Sequence, residues 1–122
     1  MIVNLLNQYL SYPFMQFLVY SSWEEVTKWI SDLQIVLEKN YQNHVAKFFV
    51  EKAPENNVRI NHKCYYKENG KFYELITTRE IAEDKVPAEI LEMLNKSEGE
   101  VDITDYIEKV LKMSIDCEVN EQ

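Results

Sequence analysis

Apolar residues at Val26, Ile30, Leu33 and Leu37 recur at steps of four, three and four. That spacing predicts an amphipathic helix, running to about Asn40. Its start is marked by Ser21 and Ser22, each followed three positions later by a glutamate, Glu24 or Glu25. This is capping-box spacing, and the two acids lie where the helix dipole favours negative charge. The stripe could be traced onward through Tyr41, Val45, Phe48 and Phe49 to Pro54. The branched and aromatic content of HVAKFFVEK instead favours a break near Asn40–Asn43 and a strand. Before this helix, Ile2, Leu5, Leu6, Tyr9 and Leu10 share one helical face. Residues 14–20, FMQFLVY, read as a short buried strand.

The pattern changes after the turn at Pro54–Asn57. RINHKCYYK and KFYELIT are strand-like runs joined by Glu68-Asn69-Gly70. Asn-Gly between such runs predicts a two-residue hairpin loop, because both residues tolerate positive φ. The register then sets Lys67 opposite Phe72, Tyr66 opposite Tyr73, Tyr65 opposite Glu74 and Cys64 opposite Leu75. One face collects Cys64, Tyr66, Tyr73 and Leu75, and the other Lys63, Tyr65, Lys67, Phe72 and Glu74. Beyond the hairpin, Thr77-x-x-Glu80 predicts a short turn of helix. Pro87 opens a helix with Ile90, Leu91, Met93 and Leu94. Asp102 or Thr104 caps a last helix with Tyr106, Ile107, Val110 and Leu111, and residues 114–122 read as a frayed tail. The expected fold is α+β: a small antiparallel sheet of about three to four strands, with a central hairpin over 59–77, packed against helices and ending in helices. A length of 122 residues fits a single domain.

Charge changes the picture more than composition does. Residues 1–79 carry nine Lys/Arg and eight Asp/Glu, and residues 80–122 carry four and thirteen, which together give the net −8. A basic stretch over 39–79 is followed by an acidic end, an asymmetry that speaks about partners and little about chemistry. The apolar first twenty residues raise the question of a membrane span or signal peptide. Asn4, Asn7, Gln8, Pro13 and Gln16 interrupt the run, and the first lysine is Lys28. Buried core is the better account, with no membrane association expected. Cys64 and Cys117 form no CxxC motif, and two reduced thiols in a cytoplasmic protein are expected.

Candidate chemistry is thin. His62-x-Cys64 puts an imidazole and a thiol on one side of a strand, half of a zinc site or a nucleophile with its base. The other half is missing, and packing beneath helices explains the pair. No nucleotide loop, zincin or hydrolase motif occurs, so no catalytic residue, metal or cofactor is assigned. Glu83-Asp84 and Glu98-x-Glu100-x-Asp102 lack the calcium-loop pattern. Trp23 and Trp29 cannot share one helical face, and Trp23 is expected to be the more exposed.

Three function classes remain. The first is a small acidic protein-binding module that inhibits a basic, nucleic-acid-acting protein, in the manner of immunity proteins, antitoxins or viral anti-defence proteins. Its contacts would be Glu98, Glu100, Asp102, Asp105, Glu83, Asp84 and Trp23. The second is a nucleic-acid-binding regulator using Lys63, Tyr65, Lys67, Lys71 and Phe72, since aromatics among lysines on a sheet stack and neutralise single strands. The third is a small enzyme using His62 and Cys64 or the acidic cluster. The first is preferred, because catalysis has no motif to rest on.

Overall fold

The computed structural model describes residues 17–41 and 43–112. The expected helix over 2–11, most of the strand over 14–20, Cys117 and the tail at 114–122 lie outside them. Five strands and three α-helices follow one another as β1 (Val19–Tyr20), α1 (Trp23–Asn40), β2 (His44–Ala53), β3 (Asn57–Glu68), β4 (Lys71–Ala82), a 3₁₀ turn (Glu83–Lys85), α2 (Ala88–Asn95), β5 (Val101–Asp102) and α3 (Thr104–Leu111). The sheet order is β1-β4-β3-β2-β5. β1 lies parallel to β4, whereas the other pairings are antiparallel.

The α+β class holds, but the sheet is mixed and has five strands rather than three or four. The addition is β5, two residues long; β1 is the described end of the strand expected over 14–20. A strand as short as β5 has no periodicity to read. The hairpin is also longer than 59–77. The expected helical turn at Thr77–Glu80 is instead the end of β4, where Val58 pairs with Ile81 and Arg59 with Glu80. Tertiary pairing overrides a local capping signal there.

Two long strands follow from alternation and from scarce glycine. Asn69 and Gly70 adopt φ of 52° and 78°, the left-handed pair a tight hairpin loop needs. Every pair from Glu68–Lys71 to Cys64–Leu75 has the register expected from that loop. The other strand connection, Pro54–Asn57, closes with the Asn57 N–H on the Pro54 carbonyl at 3.3 Å. It forces Glu55 to φ 63° and Asn56 to φ 58°.

Helices cover one face of the sheet. The Ser22 hydroxyl accepts from the Glu25 N–H at 3.3 Å, and the Glu25 carboxylate accepts from the Ser21 N–H at 3.0 Å. The capping box therefore forms, with Ser22 as the cap and its return bond displaced by one residue. α1 then buries Val26, Trp29, Ile30 and Leu37. These meet Ala46, Phe48 and Val50 of β2, Val58, Ile60 and Cys64 of β3, and Ile81 of β4 in one core. Trp29 packs edge-on to Phe48 at 6.3 Å, and Tyr41 meets Tyr66 at 4.1 Å. Each fully buried aliphatic or aromatic side chain contributes about 1.5–3 kcal/mol. Ile90, Leu94, Ile103 and Ile107 complete the core from α2 and α3. Trp23, expected to be the more exposed of the two tryptophans, is half-buried against the same core, whereas Trp29 is buried.

Candidate interaction surface

Alternation along β2, β3 and β4 leaves a second sheet face that carries Val45, Lys47, Phe49 and Glu51, then Arg59, Asn61, Lys63, Tyr65 and Lys67, then Phe72, Glu74, Ile76, Thr78 and Glu80. Its middle is a polar network around Asn61. The Asn61 Nδ2 donates to Glu51 Oε2 at 2.5 Å and to Glu100 Oε2 at 2.8 Å, and its Oδ1 accepts from the Thr78 hydroxyl at 2.8 Å. Such mutual satisfaction makes a nearly buried amide tolerable. Lys63 Nζ bonds Glu100 Oε1 at 2.9 Å and lies over the Phe49 ring at 4.6 Å. Its pKa is raised, first by that hydrogen bond to Glu100. Lower down, Arg59 grips Glu80 through two nitrogens at 3.0 and 3.1 Å.

The acidic end thus reaches back over the basic sheet. β5 pairs with β2 through Phe49–Asp102 and Val50–Val101, which sets Glu100 beside β3. Of the acids expected to contact a basic protein, Glu98, Glu100 and Asp102 are placed differently. Glu98 is exposed, but Glu100 is taken by Asn61 and Lys63. Asp102 belongs to β5, and its Oδ1 accepts the Thr104 N–H at 2.8 Å. The Thr104 hydroxyl, freed from capping, accepts from the Phe48 N–H at 3.0 Å. Glu83, Asp84 and Asp105 are exposed. Trp23 is half-buried against the core.

At the hairpin end the surface turns aromatic. Lys67 Nζ stands 5.4 Å from the Phe72 ring centre. Tyr65 hydrogen-bonds Glu74, which raises the phenol's pKa. Tyr65, Lys67 and Phe72 border, with Asn43 and Val45, an open groove of about 380 Å³. Of the residues expected to meet nucleic acid, Lys63, Tyr65, Lys67 and Phe72 share this face. Lys71 does not: it pairs with Glu68 and lies on the side of Tyr73. The whole stretch from Lys71 to Ile76 is exposed, with Phe72 at 81%.

His62 and Cys64 point into the core, not to this surface, and both are buried. The His62 ring packs on Phe48 at 4.8 Å. Burial pushes its pKa from 6.5 down to about 4, with His44 adding a smaller repulsion. A neutral, enclosed imidazole is core. Among the described residues no group of three or more His, Cys, Asp or Glu is placed to hold a metal ion, and no helix is long and apolar enough to cross a membrane. Sequence reasoning missed Asn61, Glu51 and Thr78. The alternation Arg59, Asn61, Lys63 was visible, but the arrival of Glu100 from a distant segment was not. No protein-family model, curated protein or solved structure matches this chain.

Proposed function

We propose that this protein is a cytoplasmic binding module rather than an enzyme, and that it uses its acidic C-terminal part to recognise a basic protein. The Lys63–Glu100 salt bridge at 2.9 Å carries this reading. Glu100 offsets one lysine of the basic sheet, and the chain as a whole keeps a net charge of −8. Glu83, Asp84, Glu98 and Asp105 are exposed, and no salt bridge engages them among the described residues. Opposite charge of this kind steers association with a basic partner and competes with its nucleic acid, as inhibitors of nucleases and toxins do.

The test is a double reversal, Glu98→Lys with Asp105→Lys. The partner is captured from the native cell with wild-type protein, identified by mass spectrometry, and purified for kinetics. The reversal is expected to lower the on-rate about tenfold at low ionic strength. The gap should close as salt rises. An unchanged on-rate would leave the acids as solubilising surface only. The alternative, nucleic-acid binding at Tyr65, Lys67 and Phe72, is favoured by the exposure of Phe72. It predicts tighter binding of a single-stranded RNA by the reversed protein, because repulsion has been removed.

A further inference from the structure

The Glu80 N–H donates to the Leu18 carbonyl at 2.8 Å, so the even-numbered residues of β4 turn their backbone groups toward the β1 side. β1 engages only Glu80 and Ile81. From Lys71 to Thr78 this outer edge has no strand partner among the described residues. It also lacks the usual guards: it has no proline and no bulge, and only Lys71 and Glu74 carry charge before Thr77. Large apolar side chains stand exposed on both faces, Phe72 at 81% and Ile76 at 55% on one, Leu75 at 41% and Tyr73 at 40% on the other.

The pattern Phe72-Tyr73-Glu74-Leu75-Ile76 is symmetric about Glu74. We infer that the β4 edge docks on the β4 edge of a second copy, antiparallel and with Glu74 on the twofold axis. A twofold axis perpendicular to a continuous sheet joins residues whose numbers sum to an even value, because paired residues must share a face. Centring on Glu74 satisfies this. Phe72 then meets the partner's Ile76 on one face, and Tyr73 meets the partner's Leu75 on the other. Such a patch is self-complementary, as an isologous interface requires. Phe72, Glu74 and Ile76 direct their N–H and C=O groups outward, so the same register closes the ladder. The overlap spans residues 71–77 and stops short of β1.

Area sets the strength. At roughly 200 Å² per large side chain, the exposed fractions amount to about 400–500 Å² per copy, below the ~800 Å² per partner of a standard interface. The dimer is therefore weak and concentration-dependent. Electrostatics supplies one opposing contact, Glu74 against the partner's Glu74, since like charges directly opposite are unfavourable. This surface is separate from Glu98 and Asp105, so its test and that of the proposed function fail independently.

Sedimentation velocity of the full chain from about 5 μM to 1 mM reads the association, with far-UV circular dichroism confirming that each variant folds. Wild type is expected to shift from monomer to dimer within that range. Glu74→Gln should lower the midpoint concentration about threefold. Ile76→Lys should remain monomeric throughout. A wild type that stays monomeric at 1 mM, a Glu74→Gln variant with an unmoved midpoint, or an Ile76→Lys variant that still dimerises would each overturn the proposal.

Discussion

Lowering the pH from about 7.5 to 4 should remove stability held in a single side chain, His62. It lies under α1 between Phe48 and Thr77, is 2% exposed, and has no hydrogen-bond partner in the protein on either ring nitrogen. Its pKa falls from 6.5 to about 4, chiefly through burial and then through repulsion from His44. The sign follows from proton counting. Between about pH 6.5 and pH 4 the unfolded chain binds a proton at this histidine that the native chain refuses. Stability is thus complete above the unfolded pKa, declines as pH falls toward 4, and levels off below it. A displacement from 6.5 to about 4 at ~1.4 kcal/mol per unit amounts to about 3 kcal/mol, a large part of a small domain's margin. Urea unfolding of wild type and His62→Leu at half-unit pH steps isolates the effect, because titrations common to both proteins cancel in the difference. The wild-type curve should lose about 3 kcal/mol relative to the variant between pH 7 and pH 4. Parallel curves, or a His62 proton resonance titrating near 6.5, would refute the argument.

Two turns give further outcomes. Gly70 sits at φ +78° with open space where a Cβ would point, so the cost of a side chain is conformational rather than steric. Gly70→Val should destabilise by about 1 kcal/mol or more in chemical unfolding, and a null effect would remove the left-handed requirement. Glu55 is held at φ 63° without glycine's freedom. Glu55→Gly should therefore raise the melting temperature, by up to about 1 kcal/mol of stability, whereas a lower melting temperature would show that its side chain contributes more than the strain costs.

Local rules were enough wherever neighbours in sequence supply the decisive contact. Ser22 and Glu25 could be read as a helix start because the cap and its N–H lie within one turn. Asn69-Gly70 determined the hairpin and its register, since a two-residue loop leaves one pairing and period 2 then assigns every side chain to a face. His62 and Cys64 could be placed beneath helices by the same alternation. Charge counts revealed the basic middle and the acidic end. What these could not reveal was that Glu100 would lie against Asn61 and Lys63, because that contact joins residues 37 to 39 positions apart through a two-residue strand with no signature of its own. Nor could they show which side chains of β4 remain uncovered. Phe72, Tyr73, Leu75 and Ile76 read as ordinary strand residues, and their exposure depends on which distant elements reach either face of β4. Periodicity assigns a residue to a face, but the packing of distant elements decides whether that face is covered.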